Sequence, residues 1–177
     1  MAETLQISEC QNFGFATVMS RKNADVAAIG GALQVNMPAG PTCVAGHGAV
    51  LIGTGPGNWL AFAEGKALTL ADELTLRLPG VSVSDQSGGY VIFRIAGPAA
   101  RRLLQRGAFI DLDPSTFNIG SAATTVMAHI SVVIWQIDDA ETFHVAVFRS
   151  LAGSLRDFMQ SASQSMNASF GTTAARG

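Results

Sequence analysis

Short runs of alternating apolar and polar residues follow one another along the chain, and helical stripes interrupt them at regular intervals. The stretch from Val81 to Arg106 shows this arrangement most clearly. A glycine-rich turn at Ser87–Gly89 separates two strand-like runs, because glycine tolerates positive φ. Tyr90–Ala96 is rich in aromatic and β-branched residues, which is typical of half-buried strands. Gly97-Pro98 then predicts the end of that strand and the start of a helix.

The first half of the chain predicts a strand, a helix, two strands and a second helix. Ser20 is predicted to cap the first helix, and Leu68 is predicted to lie on the buried side of the second. The predicted elements are the strand Phe13–Met19, the helix Arg21 to about Leu33, a loop over Val35–Gly48, the strands Ala49–Ile52 and Trp59–Ala63, and the helix Lys66–Leu78.

The second half repeats this order of elements from Tyr90 onward. Ala108–Gly120 reads as a connection that apolar side chains, including Phe109, attach to the core. A hairpin over Ala122–Ile137 and a strand over Thr142–Phe148 follow. Ser150 is predicted to cap the last helix.

These patterns predict the α+β class: two split βαβ-like halves with mostly antiparallel sheets and helices. We expect one domain over residues 1–162, with pseudo-repeated halves at about 12–86 and 88–162. Two small subdomains are the alternative for a chain of 177 residues. Residues 163–177 are mostly Ser, Ala, Thr and Gly and are predicted to form a flexible tail.

The charge and cysteine content narrow the function classes. A net charge of −2 argues against binding to nucleic acid or to an anionic membrane surface, both of which favour basic patches. No apolar run approaches the length of a membrane span. The two cysteines and an N-terminus without a secretory pattern predict reduced thiols in the cytoplasm.

Charged residues make up only 14% of the chain, against about 25% in typical soluble domains. One interpretation is that part of the surface faces other chains, since the centres of interfaces are depleted in charge. The other is that alanine and glycine raise the apolar content while Ser, Thr, Gln and Asn cover the surface. Composition leaves both open.

Candidate catalytic groups lack the neighbours that their chemistry needs. The segment Gly53–Asn58 matches no phosphate-binding pattern and favours a hairpin turn. The acidic stretch Asp138–Glu141 is typical of a solvated loop. We therefore assign no catalytic, cofactor-binding or metal residue. The histidines and cysteines without a recognisable ligand or nucleophile spacing are His47, His129, His144, Cys10 and Cys43.

Several turn and packing motifs resemble the gamma-subunit family of heterotetrameric sarcosine oxidases. The resemblance covers roughly Gly53 to Met159, and the first fifty residues match it only loosely. The motifs are Gly55–Leu60, Val83–Ser87, Ile95–Arg101 and Leu103-Leu104, continuing through Asp111-Leu112, Phe117, Gly120, Trp135, Phe143 and Arg149-Ser150.

The resemblance implies a fold similar to the folate-binding domain of the glycine-cleavage aminomethyltransferase. It also implies a non-catalytic subunit in a complex that oxidises sarcosine to glycine and transfers one carbon to tetrahydrofolate. FAD, FMN, NAD and tetrahydrofolate are then expected in partner chains, with no cofactor in this one. The expected partners are larger subunits of that complex, and the isolated chain is expected to be capable of self-association.

Two alternatives remain beside this interpretation: a stand-alone folate-binding or one-carbon-transfer protein, and a generic interaction domain. If an interface exists, we expect it around Trp59 and the helix face of Arg101, Arg102 and Arg106, because arginine and tryptophan are enriched among residues that dominate binding energy. The alternative for the three arginines is a hydrated helix face.

Overall fold

A computed structural model describes residues 4–166 and 169–172 of the chain. The described residues divide into two compact units. The inserted unit is Gln11–Gly89, and the terminal unit contains the described residues up to Cys10 and those from Tyr90 onward. Each unit has its own sheet and helices.

The inserted unit is built on a five-stranded antiparallel sheet with the order β3-β4-β5-β2-β6 in the part that the structure describes. Leu51, Ala61 and Val18 lie in its core. Its elements are β2 Phe13–Ser20, α1 Val26–Leu33, β3 Cys43–Gly46, β4 Ala49–Gly55, β5 Asn58–Glu64, α2 Leu70–Arg77 and β6 Val81–Asp85.

Helix α1 begins five residues later than the sequence pattern predicts. The predicted cap, Ser20, is the last residue of β2 and pairs with Val81. Asn23 then adopts a left-handed conformation with φ of 64°, which a continuous helix excludes. Asp25 is the actual cap, and its carboxylate accepts a hydrogen bond from the Ala27 N–H at 2.9 Å.

Helix α2 is also shorter than predicted, and the prediction for Leu68 is wrong. Leu68 precedes the helix and is 92% exposed, while Leu70 and Leu74 provide the buried face. The exposure of Leu68 follows from the later start, because a residue outside the helix does not share the stripe that the helical period defines.

The terminal unit contains a six-stranded sheet over its described residues, with the order β11-β1-β7-β10-β9-β8. All its pairs are antiparallel except β1 with β11. Its elements are β1 Thr4–Glu9, β7 Tyr90–Ala96, α3 Ala100–Gln105, β8 Ala122–Met127, β9 Ile130–Gln136, β10 Thr142–Phe148, a 3₁₀ turn Arg149–Leu151, α4 Ala152–Ser165 and β11 Ser169–Thr172.

Three details of the terminal unit differ from the sequence predictions. The sequence pattern does not predict strand β1. Ser150 lies in the 3₁₀ turn, and α4 begins without a side-chain cap. Phe109 is 70% exposed, so the connection is held by Leu112 and Phe117 instead.

The predicted tail at residues 163–177 lies only partly within the described residues. Helix α4 continues to Ser165, and residues 169–172 form β11 beside β1. Residues 167–168 and 173–177 of the predicted tail lie outside the described residues.

The two sheets share an internal strand order. In the inserted unit β3-β4-β5-β2 are neighbours in that order, and in the terminal unit β8-β9-β10-β7 are. The helices also occupy equivalent places in the chain. In the inserted unit α1 follows β2 and α2 follows β5, and in the terminal unit α3 follows β7 and α4 follows β10 after the 3₁₀ turn. The predicted α+β class with two similar halves and mostly antiparallel sheets is therefore confirmed.

Among the described residues, every helix is too short or too polar to cross a membrane.

Replacing each of two glycines of the inserted unit with alanine is expected to change the free energy of unfolding in opposite directions. A Cβ at Gly14 would lie 2.4 Å from the Lys66 carbonyl oxygen and 2.5 Å from the Leu70 Cβ, whereas one at Gly31 would have no atom within 4 Å. We expect Gly14→Ala to lower the free energy of unfolding by about 1–3 kcal/mol. We expect Gly31→Ala to raise it by up to about 1 kcal/mol, because alanine favours the helix. Chemical denaturation of both variants tests the pair, and equal effects would contradict the close backbone approach at Gly14.

Candidate functional site

Arg101 is the most extensively bonded of the residues that the sequence singled out for an interface. Helix α3 carries it, and its neighbours Ala100, Leu103 and Leu104 are fully buried. The Arg101 side chain itself is only 14% exposed. The helix therefore directs a charged side chain into the terminal unit instead of into solvent.

All five N–H groups of the Arg101 guanidinium have acceptors. Nε donates to a Glu141 carboxylate oxygen at 2.9 Å, and Nη2 donates to the other oxygen at 2.9 Å. Nη1 donates to the Phe117 carbonyl at 2.8 Å and to the Leu112 carbonyl. Nη2 also donates to the Gln136 side-chain oxygen at 3.2 Å. The planar fork of arginine matches this set of acceptors.

The partners of Arg101 are themselves held in place. Gln136 is buried and donates its Nε2 to the Asp138 carbonyl at 2.9 Å. Glu141 has a φ of 51°, which an L-residue adopts rarely. The Arg101 guanidinium also lies 5.0 Å from the centroid of the buried Phe143 ring. The cluster thus joins α3, the 106–121 connection and the β9–β10 turn.

An open depression of about 600 Å³ lies over this cluster. Arg102 and Gln105 line one part of it, and Asp111 and Asp113 line another. The Ser115 hydroxyl and backbone N–H donate to Asp113 and hold the pKa of that exposed carboxyl below its usual range. Both charge signs therefore border the depression, where Asp111 and Asp113 accept local turn hydrogen bonds and Glu141 pairs with Arg101.

The other residues predicted for the interface have environments different from that of Arg101. Arg102 is exposed at the depression. Arg106 is also exposed and turns towards α4, where it donates to the Ala162 carbonyl at 3.3 Å and to the Ser165 hydroxyl. Trp59 belongs to the inserted unit, is 2% exposed and donates its indole N–H to the Pro38 carbonyl at 2.8 Å. A side chain so buried is part of the core and not of the surface.

Among the described residues of the terminal unit, His144 has the most strongly shifted pKa. It lies in β10 between Arg94 of β7 and Trp135 of β9, to which it is paired in register. Its ring stacks on the Trp135 ring with centroids 5.3 Å apart. Burial, with the nearby Arg94 charge as a second cause, lowers the pKa of His144 to about 4, while Asp138 opposes that shift. The imidazole is therefore neutral at physiological pH.

Of the remaining candidates, the two other histidines lie in turns, whereas Cys43 is buried in β3 and Cys10 is partly buried. His47 has a φ of 49° at the β3–β4 turn, and His129 has a φ of 68° at the tip of the β8–β9 hairpin. The His129 ring contacts exposed Phe109 edge-on at 6.2 Å. The segment Gly53–Asn58 contains the predicted hairpin turn, which is confined to Pro56-Gly57 between β4 and β5, with Gly57 at a φ of 67°.

Sequence reasoning missed the Arg101–Glu141 pair. The sequence pattern places Glu141 in a solvated acidic loop, and Glu141 is separated from Arg101 by 40 residues. The signal that was available is weak: an arginine next to buried apolar residues on a helix, and an acidic residue next to a strand. The sequence does not reveal that the fold brings them together.

Two solved structures define the class of protein to which this fold belongs. A chain of the heterotetrameric sarcosine oxidase from Corynebacterium sp. U-96 superposes with a TM-score of 0.81 at 24% identity, covering 97% of this chain and 88% of that one. The glycine cleavage system aminomethyltransferase T from Bartonella henselae superposes with a TM-score of 0.72 at 13% identity, covering 96% and 48%. These are α+β proteins with the fold that the motifs implied.

Sequence similarity then identifies the family. A family model described as the sarcosine oxidase, gamma subunit family matches residues 20–165. The chain is 33% identical over 144 residues to the sarcosine oxidase subunit gamma of Corynebacterium sp. (strain P-1), covering 76% of this chain and 68% of that one. The Arthrobacter sp. subunit gamma is 34% identical over 119 residues, covering 64% and 58%. This chain belongs to the sarcosine oxidase gamma subunit family, which confirms the resemblance.

The stability of the terminal unit is expected to depend on Arg101. Arg101→Ala should lower the free energy of unfolding by roughly 2–3 kcal/mol, because it leaves the half-buried Glu141 carboxylate and two carbonyl groups without their donor. Arg101→Lys should restore only part of this, since an ammonium cannot reproduce the planar fork. Denaturant titration measures both.

The neighbouring Arg102 provides the matched control for Arg101. It lies on the same helix and is exposed, so Arg102→Ala should change the free energy of unfolding by less than about 1 kcal/mol. An equal loss in the two alanine variants would show that the Arg101 cluster has no special role.

Because His144 is buried in its neutral form, we expect the free energy of unfolding to fall at acidic pH. Its pKa is about 4 when folded against about 6.5 when unfolded, so the unfolded chain binds the proton more tightly. The stabilising contribution of the neutral form is present above pH 6.5 and is lost as the pH falls to 4. Between pH 7 and 4.5 the wild type should lose about 2 kcal/mol more than His144→Gln. Equal pH dependence of the two proteins in denaturant titrations would refute this prediction.

Proposed function

We propose that this chain is a non-catalytic subunit of a sarcosine-oxidase-like flavoenzyme complex and that it acts in assembly and subunit contacts. The observation that carries the proposal is the family match over residues 20–165. The matched regions span 58% and 68% of the two gamma subunits compared above, so the activity of those proteins is extended to this chain only as a proposal.

The reaction proposed for the complex is the oxidative demethylation of sarcosine to glycine, with transfer of the one-carbon unit to tetrahydrofolate. FAD, FMN, NAD and tetrahydrofolate are proposed to bind in partner chains. The role proposed for this chain is structural, and the proposed location of the complex is the cytoplasm.

Two observations support a role in subunit contacts. The low share of charged residues, 14%, is unusual for a surface that only water covers. In addition, Arg101 uses its hydrogen-bonding capacity inside its own unit, where it shapes the floor of the depression beside exposed Arg102. A partner that meets this depression encounters a surface with a defined shape and both signs of charge.

A stand-alone folate-binding or one-carbon-transfer protein is the alternative that the aminomethyltransferase-like fold raises. At 13% sequence identity, the similarity to the aminomethyltransferase concerns the fold alone and not the function. Calorimetric titration of the purified chain with tetrahydrofolate separates the two proposals. Binding by the isolated chain would favour the alternative.

The proposal predicts the composition of the native assembly. We expect that this chain, carrying an affinity tag and expressed in its native host, co-purifies with larger chains in a fixed stoichiometry. The material should show a flavin absorption spectrum and oxidise sarcosine. Mass spectrometry identifies the chains, and a tagged protein unrelated in sequence serves as the control. Recovery of this chain as a stable monomer, with neither larger chains nor flavin, would contradict the proposal.

A further inference from the structure

Strand β1 would be an open edge of the terminal sheet if β11 did not lie beside it. It pairs with β7 on one side and with β11 on the other. An open edge presents unpaired backbone N–H and C=O groups to which another chain can bind. Proteins often protect such edges with charged residues, prolines or bulges. Residues Thr4–Ser8 contain neither a charged residue nor a proline, and β1 pairs with β7 without a break in register.

The described residues of β11 cover this unprotected part of β1. They pair with it in parallel, from Thr4 with Ser169 to Ile7 with Thr172. Within the paired part of β1, Leu5 and Ile7 are buried, so this part of the edge borders the core of the unit. β11 itself is only four residues long, and a short strand offers little edge of its own.

Helix α4 fixes the point from which β11 starts. Near the beginning of the helix, the Arg156 guanidinium donates to the Glu9 carboxylate at the end of β1, with Nε at 2.9 Å. Near its end, Arg106 of α3 donates to the Ser165 hydroxyl. The helix ends at Ser165 and β11 begins at Ser169, so the strand starts close to an anchored residue.

The opposite edge of the same sheet is covered in a similar way. The chain that leaves α3 lies along β8, where Ala108 forms an antiparallel bridge with Met127. The Phe109 N–H also donates to the Val126 carbonyl at 3.0 Å. In both cases the segment that follows a helix lies against an edge strand, so covering of edges is a recurring feature of this unit.

We propose that β11 is an edge guard, a strand that prevents β1 from pairing with the β1 strand of a second copy. The inference goes beyond the proposed function and does not depend on it, because it concerns the chain by itself. The guard occupies the backbone groups that a second copy would otherwise bind. Loss of the guard is therefore expected to convert a covered edge into a surface for self-association.

The β1 edge suits pairing with its own copy. Identical edges can pair antiparallel about a two-fold axis, so that the same surface is used twice. If the two Gln6 residues lie opposite each other, Leu5 of each copy lies opposite Ile7 of the other. Pairs of apolar residues across strands are favourable, and Thr4–Ser8 contains no charge that would repel its copy. These properties select a second copy as the occupant of the released edge.

A pair of double variants tests the guard. Successive residues of a strand direct their N–H groups to opposite sides, so one of Phe170 and Gly171 faces β1. We expect Phe170→Pro combined with Gly171→Pro to release β11 and to strengthen self-association in sedimentation experiments by about tenfold or more, because proline removes the donor. The control, Ala174→Pro combined with Ala175→Pro, adds two prolines beyond β11 and should self-associate as the wild type does. Thermal unfolding checks that both variants are folded.

Hydrogen exchange locates the surface that pairs. In a dilute solution of the β11 variant, the amides of residues 4–7 that face β11 should exchange about tenfold faster than in the wild type. A higher protein concentration should restore their protection, because a second copy then occupies the edge. In the wild type the protection should be independent of concentration, and this measurement needs no substitution.

Three outcomes would overturn the proposal. The first is equal self-association of the two double variants. The second is a wild type in which the protection of residues 4–7 rises with protein concentration, because the edge would then be open in the single chain. The third is a β11 variant that stays monomeric while these amides exchange faster at every concentration. That result would show that a second copy does not occupy the released edge.

Discussion

The guanidinium of Arg101 connects parts of the terminal unit that are distant in sequence. It is held by Glu141 in the β9–β10 turn, by Gln136 at the end of β9, and by the carbonyl groups of Leu112 and Phe117 in the connection after α3. Each contact satisfies a polar group that would otherwise lose water without replacement. The inward-directed charge of Arg101 therefore holds the long connection together with the buried side chains of Leu112 and Phe117.

The sheet of the terminal unit contains a second polar side chain that is buried among apolar residues. His144 is 3% exposed, is stacked on Trp135 and lies beside Arg94 in register. Burial favours its neutral form, so the strand accommodates a histidine without an internal positive charge at neutral pH. Both elements place polar groups inside a unit whose core is otherwise almost entirely apolar.

Local sequence predicted elements well where several signals agreed. The strand β7, the start of α3 after Gly97-Pro98 and the β8–β9 hairpin lie where the pattern indicated. Helix starts were less accurate: Ser20 and Ser150 resemble caps, but β2 continues through Ser20 and a 3₁₀ turn includes Ser150. Hydrogen bonding to a neighbouring strand outweighed the weak local preference at Ser20.

The candidate site was predictable only in part. Arg101 and Arg102 could be named from the helix, but the burial of Trp59 and the direction of Arg106 towards α4 could not. Whether a side chain is buried depends on what packs above it, and that information is non-local.

By itself the sequence determined the α+β class and the order of most elements, because periodicity and turn residues act over short distances. Its motifs also carried the resemblance to the family, and the absence of charge between Asp25 and Glu64 is read directly from it. Only the tertiary structure decided that Arg101 meets Glu141, that β1 joins β7, and that the uncharged stretch leaves a groove beside α1. These contacts join residues that are far apart in the chain, and the packing of each whole sheet with its helices selects them.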